Sequence, residues 1–240
     1  MSSRRVPPET GDDPPAKLQK PPEHSRRPAA NARIIGAGAL LLAGPLFVAY
    51  PVIRPYQDEI TGAGAQAMSS AAWIGAHLSA VFAFILVVFA LAVLREGLIG
   101  SPAEREAGLV LVTGWLGASL VLPYYGAETF GIHAIADLAV SRQDPSLLDA
   151  VAVFRFQPAA IGMFAVGLFL LAAMGVLVAH VMVRGGLAAR WTTVPFAAGF
   201  VLFIPQFFAT APVRIAHGVL LGIGCLLLAH ALRKGATTSD

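Results

Sequence analysis

The feature that most constrains this chain is a set of long stretches without a single Asp, Glu, Lys or Arg. Ala72–Leu94 and Pro158–Val183 are the clearest of them. A water-soluble helix of that length needs a charged or polar face, and neither stretch supplies one. A helix crossing the roughly 30 Å hydrocarbon layer needs about 20 apolar residues, which both provide. Six spans are predicted on this basis, at about Ile34–Ile53, Ala72–Leu94, Ala107–Gly126, Pro158–Val183, Trp191–Ala209 and Val213–Leu232. The runs are continuous rather than alternating, so they do not fit a transmembrane β-barrel. The expected fold is all-α: a polytopic integral membrane protein built as a six-transmembrane-helix bundle. Composition agrees, with 56% hydrophobic and 13% charged residues, about half the roughly 25% charge of soluble domains.

The net charge of +3 is a property of one end. Residues 1–33 hold seven Lys/Arg and four acids, and the remaining 207 hold ten of each sign. The same 33 residues carry seven prolines and few aliphatic side chains. Such a segment cannot bury enough apolar area to offset its chain entropy, so a disordered, basic, Pro-rich tail is expected at 1–33. It lacks the short apolar core and cleavage pattern of a signal peptide. The basic balance therefore points to a membrane surface and not to nucleic acid. Arg95, Arg105, Arg184, Arg190, Arg233 and Lys234 fall on the same side as this tail, which predicts both termini, including the short tail 235–240, in the cytoplasm of a cell-membrane protein. Cys225 is the only cysteine, and within an apolar run it reads as a small hydrophobe.

Between the third and fourth spans, residues 127–157 form the longest connection, an expected extracytoplasmic loop with short surface helices. Asp144 and Pro145 read as the cap and first residue of one of them. Glu128–Val140 reads as a continuation of the third helix or as a second surface helix, with His133 and Asp137 on one face in either case.

No nucleotide-binding, redox, zinc-protease or serine-hydrolase motif occurs. What remains is a layer of polar residues at one depth. His77 lies about five residues, or roughly 8 Å, into the second span, and His217 lies equally far into the sixth. Arg214, Gln206, Tyr124, Tyr125, Glu128, His133 and Asp137 occupy the same outer ends. Polar groups beside hydrocarbon need partners or water, so this layer is the candidate ligand site. Its plainest reading is a set of ion pairs such as Glu128 with Arg214, holding helices together. Its sharper reading is an outward pocket for a small ligand or a metal.

Several chemistries fit the residue types. His77, His133 and His217 with a carboxylate are donors that zinc accepts, which would allow a metal-dependent hydrolase acting on a lipid-like substrate. His180 and His230 lie near the other membrane face, so a b-type haem protein is a further option. However, His217 and His230 sit roughly 140° apart around one helix. Transport would use the prolines of the fifth span, Pro195 and Pro205, as helix breaks. A scaffold subunit needs no site. Gly218 and Gly222 in the sixth span form a GxxxG pair, which would suit homo-oligomerisation through a small-residue face.

Overall fold

The computed structural model describes residues 23–237, and side chains from 31 to 234. All regular structure among these residues is helical. Five helices are long and apolar enough to cross a membrane. The expected disorder at 1–33 falls outside the described residues up to position 22, and residues 23–33 are the beginning of a helix.

In chain order the helices are α1 (Glu23–Ile53), α2 (Gly62–Met68), α3 (Ala71–Glu96), α4 (Glu104–Gly126), α5 (His133–Arg142), α6 (Asp149–Arg155), α7 (Pro158–Arg184), α8 (Arg190–Val201), α9 (Phe203–Gln206) and α10 (Ala211–Thr237). A π-helical segment, Ala127–Ile132, joins α4 to α5, and a 3-10 turn, Pro145–Leu148, precedes α6. The six larger helices form a closed ring in which α1 packs on α3, α3 on α4, α4 on α7, α7 on α8, α8 on α10 and α10 on α1. Each neighbour runs antiparallel to the next. Gly117 meets Leu171 while Val121 meets Gly167, and Gly44 meets Cys225 while Phe47 meets Gly218. The ring encloses one apolar core, with Phe47, Phe84, Phe200 and Phe203 packed edge to face or tilted at its centre.

The end of the bundle near the N-terminus is closed by tight turns at 97–103 and 185–189. The distal end is elaborated. There Thr61 caps α2, Ser70 caps α3, Asp144 caps the 3-10 turn and Gln157 caps α7. Each cap satisfies an N–H that the helix start leaves orphaned. The α4–π–α5 rod is 39 residues long, roughly 58 Å, far more than a bilayer core. Its last turns overshoot the ring and carry a second, small core of Ala65, Met68, Trp73, Ile132, Ala136, Ala139, Leu148 and Val151. This cap is what positions the distal residues.

Two helices are broken, each for a local reason. Pro123 removes one backbone donor inside α4, and a few residues later the register widens to π. Thr129 then donates its hydroxyl to the Tyr125 carbonyl at 2.6 Å. In the fifth apolar segment the helix is interrupted at Leu202, ahead of Pro205, which leaves α8 with 12 residues and α9 with four. The Gly199 carbonyl beside this break accepts a bond of 2.7 Å from His217 Nε2.

Candidate functional site

The distal end holds a cavity of about 800 Å³, bordered by α1, α3, α4, α6, α7, α9, the loop 54–61 and the start of α10. One wall is ionic. The α1 helix ends just before Arg54, the following loop contributes Glu59, the π segment contributes Glu128, and α6 ends on Arg155. Arg155 grips Glu128 with both prongs, Nε to Oε1 at 2.6 Å and Nη2 to Oε2 at 2.8 Å. Its Nη1 donates to Glu59, whose other oxygen accepts from Arg54 Nη2 at 2.5 Å. The result is a chain of alternating charge, Arg54–Glu59–Arg155–Glu128. Bidentate, charge-assisted bonds of this kind are the strong ones. Burial alone would raise the Glu59 carboxyl, but Arg155 and Arg54 outweigh it and hold it below the ordinary carboxylate range. Burial would likewise disfavour the Arg155 cation, yet its two carboxylates keep it above the usual guanidinium value.

The ionic chain is fastened from behind by Trp73, which is fully buried. Its Nε1 donates to the Glu128 carbonyl at 2.8 Å. The Arg54 guanidinium lies over its ring at 4.8 Å, with Tyr56 on another side at 5.2 Å. Stacking of this sort offsets part of the cost of withdrawing the cation from water. His77 donates Nδ1–H to the Trp73 carbonyl at 2.8 Å. A carbonyl only accepts, so the tautomer is fixed, and Nε2 is left as an acceptor on a residue that lines the cavity.

All four tyrosines of the chain, Tyr50, Tyr56, Tyr124 and Tyr125, line this space. The rings of Tyr50 and Tyr125 meet edge to face at 5.8 Å, and the buried Tyr125 Oη has no hydrogen-bond partner. The remaining lining has a large apolar part. It consists of Phe156, Ile161, Phe164, Leu168, Phe169, Ile204, Phe207 and Phe208. Of these, Phe156, Ile161, Phe169 and Phe208 also face outward, Phe208 being 89% exposed. Tyr124 stacks on Phe164 of this part at 4.2 Å.

The chain matches no family model, no curated protein and no solved structure. The site therefore stands on its own geometry.

Of the residues expected from sequence, His77, Tyr124, Tyr125, Glu128 and Arg214 come together around the cavity. The others do not. Gln206 is buried beside Tyr50, Arg214 and His217 at a separate void of about 10 Å³, with its Nε2 unpaired. His133 gives Nδ1 to the Met68 carbonyl at 3.1 Å, within the small cap. Asp137 is exposed. The expected metal set of His77, His133 and His217 is not assembled. Each imidazole gives one ring nitrogen to a backbone carbonyl of a different element, and among the described residues no group of three His, Cys, Asp or Glu is placed to hold a metal ion. His180 and His230, the other histidines weighed for haem, are both exposed and are not brought to this site. The expected Glu128–Arg214 pair is replaced by Glu128–Arg155. The Gly218–Gly222 face is occupied by α1 of the same chain.

Sequence reasoning missed Arg54, Glu59 and Arg155 as site residues. Arg155 was legible as a cation at the outer end of the fourth span. Glu59 lies in a loop that reads as an ordinary polar connection, and only the folded cap shows its partner. The tyrosines were a signal: a chain with four, all at outer span ends, concentrates amphipathic rings in one layer.

Proposed function

We propose that this is a multi-pass membrane protein whose distal cavity binds one small amphiphilic, lipid-like ligand. The observation that carries the reading is the make-up of the lining, which joins an ionic and tyrosine-rich set of residues to an apolar set that is also exposed on the outer surface at Phe156, Ile161, Phe169 and Phe208. Ligand sites of 300–1,000 Å³ with a few convergent polar groups on an apolar lining are the common form of small-molecule pocket. The polar part of the ligand would meet Tyr125 and the ionic chain, and its hydrocarbon would leave between α7 and α9 toward the acyl chains.

The membrane arrangement belongs to the same proposal. The α7 helix ends at the N-terminal side of the bundle and α10 begins at the distal side, so α8 and α9 make a sixth crossing despite their break. Arg95, Arg105, Arg184, Arg190, Arg233 and Lys234 gather at the end nearest the N-terminus. By the positive-inside rule that end is cytoplasmic, and the cavity opens in the extracytoplasmic half.

The test is retention of radiolabelled 18-carbon amphiphiles by the detergent-purified full chain. Ala165 lies on the apolar wall and is half-buried. Ala165→Phe is expected to lower retention at least tenfold while leaving the melting temperature within about 3 °C. Equal retention by this variant, or no retention by the parent chain, overturns the reading.

A further inference from the structure

We infer that the head of this ligand is an anion, a carboxylate or a phosphate ester, and that Arg214 is its seat. The inference rests on the amphiphile reading and narrows it to a charge class. Three cations line the cavity, Arg54, Arg155 and Arg214. Arg54 and Arg155 are already neutralised by Glu59 and Glu128. The remaining acid of the lining, Asp58, is exposed. Arg214 has no carboxylate within ion-pair distance among the described residues. Its Nε donates to the Ala209 carbonyl at 3.2 Å and its Nη2 to the Phe207 carbonyl. Those neutral acceptors leave Nη1 and the net charge uncompensated in a partly buried place.

A second, independent observation has the same sign. Arg214 stands in the first turn of α10, which contains no acidic residue. Cations are disfavoured at a helix N-terminus, where the macrodipole is already positive and two or three N–H groups lack partners. Here a guanidinium on the lining and the positive end of the helix that carries it both favour an anion at Arg214. An anion offsets every one of these costs, and a neutral or zwitterionic head offsets fewer. A guanidinium also presents paired N–H groups that match a carboxylate or phosphate.

Retention on detergent-purified full chain is compared for probes with one 18-carbon chain: oleate, 1-oleoyl lysophosphatidate, 1-oleoyl lysophosphatidylcholine and oleamide. Acetate and inorganic phosphate alone serve as the chain-free arms. Oleate and lysophosphatidate are expected to bind at least tenfold more tightly than oleamide, with lysophosphatidylcholine between them. Acetate and phosphate are expected not to compete at millimolar concentration, which assigns the anion to a lipid. If they compete as well as oleate, the source is a free anion. Arg214→Gln is expected to remove the preference for oleate and leave oleamide unchanged, while Arg214→Lys keeps it within about threefold. Oleamide binding equal to oleate on the parent chain overturns the anion and leaves the amphiphile reading standing. Equal losses for all probes in Arg214→Gln make Arg214 structural and overturn its assignment. Binding of none overturns the amphiphile reading itself.

Discussion

Two regions of the bundle share the helices α1 and α10 and are built in opposite ways. Along the seam between them the backbones nearly touch. A methyl group on Gly218 would lie 2.7 Å from the Phe47 carbonyl oxygen, and one on Gly44 would lie 3.1 Å from that of Gly222. At the distal ends of the same helices, Tyr50 and Arg214 both line an open cavity. The seam holds by close contact of small residues, which is how helices associate where no hydrophobic drive exists between apolar surfaces. The cavity is held open by charges that cannot collapse onto hydrocarbon and by aromatic rings that cannot interdigitate with it. The contrast teaches that one helix pair serves both regions: the glycine seam fixes how α1 and α10 sit against each other, and with that the placement of Tyr50 and Arg214 on the lining.

The largest expected effect comes from removing the cation at the centre of the ionic chain. Arg155→Ala strands the buried Glu128 and leaves Glu59 with Arg54 alone, and breaking one partner of a buried pair costs about 3–5 kcal/mol. The value here should lie at the lower end, about 3 kcal/mol, because the Arg155 side chain retains 19% exposure. Thermal unfolding in detergent measures it, and accelerated proteolysis at 143–157 locates it. A double variant, Glu128→Gln with Arg155→Leu, should recover most of the loss, since Arg54 and Glu59 still pair and no charge is left alone. A double variant as unstable as Arg155→Ala would mean that the side chain acts by packing alone.

The seam is broken at Gly218. Gly218→Val places methyl groups against the Phe47 carbonyl and Pro51, where nothing flexible can yield, and overpacking of this kind costs about 1–3 kcal/mol. Because Gly218 lies one turn from Arg214 on α10 and the added methyl groups meet Pro51, next to Tyr50, amphiphile retention should fall along with stability. Ala165→Phe, in contrast, is expected to lower retention alone. If Gly218→Val lowers the melting temperature and leaves retention intact, the two regions are mechanically independent and the lesson drawn from the contrast is wrong.

The membrane-spanning class was legible because charge-free runs of more than 20 residues admit few other outcomes. The depth of the polar layer was legible too, since a helix converts sequence position into height at a fixed rise. Azimuth was not. His77 and His217 share a depth but are spent on Trp73 and Gly199, because each carbonyl lies within reach of its ring and no partner imidazole does. Long-range pairing was also hidden. Glu128 could be matched to any cation at its level, and Arg155 wins over Arg214 only because the small cap around Trp73 and Leu148 swings the end of α6 over the π segment. Asp137 was misplaced for the same reason: the helix continues past the membrane level and turns that side chain to solvent.

The smallest effect concerns the outermost link of the ionic chain. Glu59 lies in the loop 54–61, outside the spans, and its folded carboxyl is held below the usual range by Arg155 and Arg54. A depressed folded value means that its contribution is complete above the unfolded carboxyl value, about 4.3. It is lost as pH falls from there through the lower folded value. Comparing the parent chain with Glu59→Gln isolates this contribution from every other titrating group. At pH 7 the parent chain should be more stable by about 1–2 kcal/mol, the usual worth of hydrogen bonds to a charged group. The gap should narrow as pH falls below about 4.3 and close once the folded carboxyl is protonated, when both side chains are neutral. A gap that stays constant or widens on acidification would show that Glu59 contributes through shape and not through its charge. The ionic wall would then reduce to the Arg155–Glu128 fork, which Trp73 Nε1 anchors at the Glu128 carbonyl.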